Sequence, residues 1–208
     1  MVPSPPTFDA EGALQRQGYR LIAGVDEVGR GPLAGPVMAA AVILPLDREL
    51  SWLSLVRDSK ELTPQRREPL ARSIESDALA VGIGRASAEV IDTDGIVAAT
   101  QQAMRLAIER LSCRPDFVLI DGMSLPQLDC PAKAIVDGDS LCLSIAAASI
   151  VAKVARDRLM VEMDRLYPGY GFARHKGYGT PEHLQSLERY GVCPIHRKSF
   201  YPVRELIR

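Results

Sequence analysis

Four acidic residues, Asp26, Glu27, Asp121 and Asp139, sit where apolar runs of the chain give way to glycine or serine. Asp26 is the informative one. It closes the run Ile22-Ala-Gly-Val, which asks for burial, and a buried carboxylate is costly unless it is paired or bound to metal. Spacing alone leaves two readings open. In the first, Asp26 pairs with Arg30, while the aspartates before Gly122 and Ser140 are turn formers. In the second, the four converge on a hard cation, since carboxylates with no His or Cys neighbour select Mg2+ or Mn2+ over Zn2+. Two like charges about 4 Å apart repel by roughly 4 kcal/mol at an effective dielectric of about 20, so such a cluster requires cations or protons. Asp26 and Glu27 are also chain neighbours, which face opposite ways on a regular strand. Sharing one ion requires the strand to twist off there, and Gly29 and Gly31 allow it.

The elements that must position these residues follow from periodicity. Residues 20–26 read as a central strand, and the glycines and prolines of 29–36 make a turn into a second, antiparallel strand over 37–44. A loop over 45–63 ends at Thr63-Pro64, which predicts a helix over 64–76. A third strand spans 78–87, and helical spacing covers 88–111. Short strands follow over 116–121 and 133–137, then a long helix over 140–166 broken near its start. A last helix runs from Thr180-Pro181 to Tyr190 with Gly191 as its stop. The class is α/β, a mixed five-stranded sheet flanked by helices. Residues 1–19, proline-rich and then polar, are expected to form a loose tail or short helix. Residues 20–208 form one domain with a helical C-terminal portion.

Composition narrows the function classes. With 47% hydrophobic and 25% charged residues and mean hydropathy 0.00, the chain can build a core and is not disordered. Its longest apolar run, 37–44, is strand length, far short of the roughly 18–20 residues that span a bilayer. The N-terminus lacks the basic start and apolar block of a secretory signal. Cysteines 113, 130, 142 and 193 contain no C-x-x-C pair, so buried free thiols in a reducing cytoplasm are expected. The net charge of −1 argues against a nucleic-acid partner, but its distribution argues for one. Residues 151–208 carry 11 Lys and Arg against 6 Asp and Glu, and residues 1–150 carry 14 against 20. That asymmetry fits a carboxylate-rich site beside a phosphate-binding surface. A sugar-cleaving carboxylate pair would want an aromatic platform, and aromatics are only 5%.

Gly24-Val-Asp-Glu-Val-Gly-Arg-Gly-Pro-Leu-Ala-Gly-Pro36 resembles the opening signature of bacterial ribonuclease HII. Further blocks agree in order: Asp58-Ser-Lys-Glu-Leu62, Asp121-Gly122, Gly138-Asp-Ser140, and Ser144-Ile-Ala-Ala-Ala-Ser-Ile-Val-Ala-Lys-Val154. Arg156-Asp157-Arg158, Gly169-Tyr-Gly171, His175-Lys-Gly-Tyr178 and His196-Arg-Lys-Ser-Phe200 follow. The resemblance implies a ribonuclease H-like fold and two divalent ions, Mn2+ or Mg2+, held by Asp26, Glu27, Asp121 and Asp139. It implies that the backbone of Gly29, Arg30 and Gly31 meets a ribose 2′-hydroxyl and that Tyr178 packs on the sugar beside the cut. Lys60, Ser149 and Lys153 resemble substrate-side or supporting residues of the family. His175, His183 and His196 lack metal-ligand spacing and are expected at the surface or on a phosphate.

The activity so implied is cleavage of the RNA strand of RNA–DNA hybrids, and cutting 5′ of ribonucleotides embedded in duplex DNA. It proceeds by two-metal hydrolysis to 5′-phosphate and 3′-hydroxyl ends. The partners are those duplexes, with no membrane, and the chain is expected to act as a monomer. Two rivals are a catalytically silent hybrid-binding module, which predicts a damaged carboxylate set, and a DNA-junction nuclease of the same fold, which predicts indifference to the 2′-hydroxyl. Two departures from the family pattern stand out. Asp94-Gly95 replaces a Leu-Asn-like pair and loosens that helix start, and Tyr201 replaces a smaller residue. Roughly 20 residues precede the first strand, too few for the extra N-terminal domain of ribonuclease HIII.

Overall fold

The computed structural model describes residues 5–207; the first four residues of the expected tail and the last of the expected domain lie outside them. Five strands form one sheet: β1 (Ile22–Val28), β2 (Val37–Ile43), β3 (Ala80–Ala86), β4 (Phe117–Asp121) and β5 (Ala132–Ile135). Their order is β3-β2-β1-β4-β5, antiparallel from β3 to β1 and parallel from β1 to β5. The mixed sheet is therefore as expected. β1 outruns its expected end at Asp26, because pairing with β2 continues to Val28↔Met38. β5 stops earlier than expected, where Asp137 takes up a left-handed conformation at φ 53°.

Helices cover both faces. α1 (Asp9–Arg16), α2 (Pro64–Asp77), α4 (Gly138–Leu141) and α5 (Leu143–Leu166) lie toward one side, and α3 (Ala88–Glu109) toward the other. Alternation along β2 divides the core: Val37, Ala39, Ala41 and Ile43 meet α3, while Ala40 and Val42 join the cluster containing α2 and α5. On β1 the α5 face has almost no room. A Cβ at Gly24 would stand 2.1 Å from the backbone carbon of Ser144, so the strand and helix main chains touch there. Asp26 is the next residue of β1 on that same face. The long helix is broken as expected, since Cys142 is extended between α4 and α5. The loosened helix start is also present, as a kink in α3 at Gly95.

Of the expected tail or short helix, Asp9–Arg16 form the short helix α1. Thr7 bridges Cys142, and the buried Glu11 of α1 accepts hydrogen bonds from Ser144 N (2.9 Å) and Ser144 Oγ (2.6 Å), capping α5. It braces the junction that follows Asp139. At the other end, α6 (Phe172–His175), α7 (Pro181–Tyr190) and a 3-10 turn (Val203–Leu206) close over Leu33, Ala34 and Met160. They seal the turn that follows β1. Among the described residues no helix is long and apolar enough to cross a membrane. All four cysteines are free; Cys142 and Cys193 are buried as expected, whereas Cys113 and Cys130 are only half-buried.

Candidate active site

The parallel ladder of β1 and β4 ends at Val25↔Ile120, so one step further Asp26 and Asp121 stand side by side. Paired positions in a sheet share a face, and theirs is that of Gly24 and Leu119, toward α5. Oxygens of Asp26, Glu27 and Asp121 all lie within 4.8 Å of one another. β1 does not twist off at Glu27, as the alternation argument required. Its ladder with β2 is unbroken there, and the longer glutamate side chain brings its carboxylate back to the aspartates.

The three are held by few internal bonds. Asp26 Oδ1 accepts the Glu27 N–H at 2.7 Å, and Asp121 Oδ1 accepts the Gly138 N–H at 2.7 Å. Arg30 pairs with Glu27 at 3.3 Å and not with Asp26, which disposes of the Asp26–Arg30 ion pair. Burial, and then the charges of Glu27, Asp121 and Asp139, hold the Asp26 carboxyl well above its ordinary range. Burial also lifts Glu27, against the pull of Arg30. The cluster is short of positive charge.

Asp139, buried in α4, stands beside this trio rather than in it. Its Oδ2 lies 3.3 Å from the Lys60 ammonium, which also reaches Asp58 at 3.6 Å. Burial and then Asp58 and Asp121 raise the Asp139 carboxyl, with Lys60 opposing them. Lys60 sits on a 3-10 turn (Ser59–Glu61) tied down from behind. Ser59 N donates to Ser149 Oγ at 3.2 Å, and the buried Arg67 donates to the carbonyls of Ser59 and Leu62. Ser149 is therefore buried and holds that turn by its hydroxyl. Lys153, too, is turned to a protein partner, Asp157, at 2.7 Å.

The turn after β1 rests on two arginines that are fully buried. Arg156 donates to the carbonyls of Ala34, Pro36 and Lys176, and Arg197 to those of Gly29, Arg30 and Gly35. Burial and then the Arg156 charge pull the Arg197 guanidinium down to about 9. With its carbonyls turned inward to these donors, the turn presents Arg30 and Gly31 outward, both exposed. Tyr178 stands next to them, its Cε1 at 3.9 Å from a Cβ built on Gly31 and its side chain substantially exposed. Both arginines lie in the quoted motif blocks without an expected role, although for Arg156 a signal existed. Ser149, Ala152, Arg156 and Met160 recur at helical spacing along the buried face of α5.

Part of the basic excess of residues 151–208 is committed to protein partners, some inside and some at the surface. Besides Arg156 and Arg197, Lys153 pairs with Asp157, Arg158 with Glu68 and Arg174 with Glu182. The histidine expectation is also corrected. His175, His183 and His196 are all buried, packed with Phe172 and Tyr170 under the Tyr178 turn, because their polar nitrogens find backbone partners there.

A β3-β2-β1-β4-β5 mixed sheet with acidic side chains gathered at the carboxyl ends of two adjoining strands defines a nuclease of the ribonuclease H-like fold. The model of the family "Ribonuclease HII" matches residues 23–203, and the chain belongs to that family. It is 54% identical over 203 residues to the ribonuclease HII of Geobacter sulfurreducens, covering 98% of this chain and 92% of that protein. It is 52% identical over 202 residues to a ribonuclease HII of Dehalococcoides mccartyi, covering 97% and 95%. The crystal structure of the ribonuclease H2 from Pyrococcus horikoshii superposes with a TM-score of 0.75 at 25% identity, over 89% of this chain and 96% of that one.

Proposed function

We propose that this enzyme hydrolyses the RNA strand of RNA–DNA hybrids and cuts on the 5′ side of ribonucleotides embedded in duplex DNA. The observation that carries the reading is the Asp26–Glu27–Asp121 trio, its oxygens within 4.8 Å of one another and its buried member held well above the ordinary range. An all-oxygen set short of positive charge fits hard divalent cations, Mg2+ or Mn2+. Asp26, Glu27 and Asp121, with Asp139 alongside, would hold two such ions. Bound there, they supply an activated water and stabilise the leaving 3′-oxygen, leaving 5′-phosphate and 3′-hydroxyl ends.

The chain's own residues do the rest. Gly138 N–H orients Asp121, and Arg30 orients Glu27. The backbone of Gly29, Arg30 and Gly31 reads the 2′-hydroxyl that DNA lacks, from a turn whose carbonyls are already committed to Arg156 and Arg197. Tyr178 offers its exposed ring to the sugar, and Lys60, with a mostly exposed side chain, offers a cation to the backbone near Asp139. Ser149 and Lys153 support from behind. The enzyme acts as a monomer in a reducing cytoplasm on these duplexes.

One gel tests this: a plain DNA duplex, a hybrid, and a DNA duplex with a single ribonucleotide, each with Mg2+, Mn2+ or chelator. Cleavage of the last two in metal only, and none of the first, is the expected pattern. Equal cutting of plain DNA, or undiminished cutting in chelator, overturns it.

A further inference from the structure

Behind Tyr178 lie three buried imidazoles whose hydrogen bonds admit one arrangement of protons. His183 Nδ1 stands 2.9 Å from the Tyr178 carbonyl, and a carbonyl only accepts, so this nitrogen carries the proton. The other nitrogen of that neutral ring is then an acceptor. It lies 3.0 Å from His196 Nε2, which must donate to it. His196 Nδ1, left as the acceptor, receives the Cys193 N–H at 2.9 Å. The reverse placement would let His196 Nδ1 donate to Cys193 O at 3.2 Å, but it would set two Nε2 lone pairs against each other. Burial pulls both His183 and His196 down to about 4, so both rings are neutral near pH 7.

His175 completes the set. Its Nε2 donates to Tyr170 O at 2.7 Å, its Nδ1 receives the Gly177 N–H at 3.2 Å, and its ring stacks on His183 at 4.5 Å between centroids. Its own carbonyl accepts the Tyr178 N–H at 3.0 Å. The Tyr178 N–H therefore ends on a histidine, and its carbonyl is shared between His183 Nδ1 and the Thr180 N–H at 2.8 Å, while its ring stands in solvent beside Gly31. Gly177 O meanwhile accepts from Leu33 N at 2.8 Å, which joins the Tyr178 turn to the one after β1.

We propose that His183 is a positioning residue for Tyr178: a proton-ordered chain from Cys193 through His196 and His183 fixes the Tyr178 backbone and so aims its ring over the Gly29–Gly31 turn. The inference rests on the reading of Tyr178 as the residue that meets the sugar. A merely space-filling histidine cluster would predict that any substitution loses active enzyme without regard to Tyr178.

The test is a kinetic cycle on a DNA duplex with one embedded ribonucleotide at saturating Mn2+, with His183→Leu, His183→Asn, Tyr178→Ala and the His183→Leu/Tyr178→Ala pair. His183→Leu is expected to lower kcat/KM about five- to tenfold, the worth of one hydrogen bond, and to cost nothing further once Tyr178 is alanine. His183→Asn, which keeps an N–H near the Nδ1 position, restores kcat/KM to within about twofold of wild type. Additive losses in the double variant overturn the positioning role. An unchanged Tyr178→Ala enzyme overturns instead the sugar-facing reading beneath it. Should His183→Leu not fold, the nitrogen-15 histidine spectrum of the wild type decides: protons on His183 Nδ1 and His196 Nε2 are expected, and the opposite tautomers end the proposal.

Discussion

A Cβ on Gly29 would fall 2.2 Å from Nε of Arg156. The first glycine of the turn is thus demanded by the protein itself, by that contact and by its φ of +90°. Gly31 is different: it is exposed, its φ is ordinary, and a Cβ there meets only Tyr178 at 3.9 Å. Of the two glycines, one serves the fold and the other leaves room for something outside it.

Substitution separates those roles. Gly29→Ala should lower stability by about 1–3 kcal/mol, read from the urea midpoint, because the turn must shift or strain. Gly31→Ala should leave the midpoint unchanged and slow cleavage of an embedded ribonucleotide by about tenfold or more, since a methyl would enter the space that the proposed function gives to the ribose. Wild-type cleavage by Gly31→Ala would remove Gly31 from the reading of the 2′-hydroxyl.

Arg197→Met leaves the carbonyls of Gly29, Arg30 and Gly35 without their donor. A loss of about 3 kcal/mol or more is expected in chemical denaturation, and Arg197→Lys should rescue little of it. An ammonium cannot reproduce the guanidinium's spread of donors. Full rescue by lysine would mean that charge, not geometry, holds the turn.

Asp121→Asn keeps the oxygen that accepts from Gly138 N–H and removes the charge. Folding by circular dichroism and duplex binding should survive, while cleavage in Mg2+ falls by about a thousandfold or more. Turnover near wild type would exclude Asp121 from metal binding.

The pH dependence of stability carries the sign of the buried carboxyls. Asp26 and Glu27 are raised above 3.8 and 4.5, so the folded chain binds more protons than the unfolded one. Their contribution is fully present below those ordinary values and is lost as pH rises through the raised ones. In chelator at pH 8, Asp26→Asn should therefore melt above wild type, and added Mn2+ should raise wild type far more than the variant. A variant less stable than wild type in chelator would show that the cluster carries no excess of negative charge.

The strands and the last helix were legible because their apolar patterns are clear and their breaks hold glycine or proline; the turn of 29–36 and the stop of α7 at Gly191 are examples. The carboxylates were legible as a set through the motifs, but not their grouping. That Asp139 leans on Lys60 while the other three crowd together depends on where α4 starts, which a left-handed Asp137 decides. The histidines were misread because a one-dimensional spacing of 175, 183 and 196 says nothing of rings that meet only when α6, α7 and the following loop fold over one another. Glu11 was hidden for the same reason, its partner Ser144 lying on a helix far along the chain.

That last contact constrains the order in which the molecule can be completed. α1 is made before α5, and the amide and hydroxyl that Glu11 must meet lie 133 residues further along the chain. Until α5 is made its carboxylate has only solvent, and the bracing of the segment after Asp139 cannot form. Leu14 can pack on Ile22 as soon as β1 is made, but the Glu11 brace waits for α5 and closes over a long stretch of chain, a contact of the slow-forming kind.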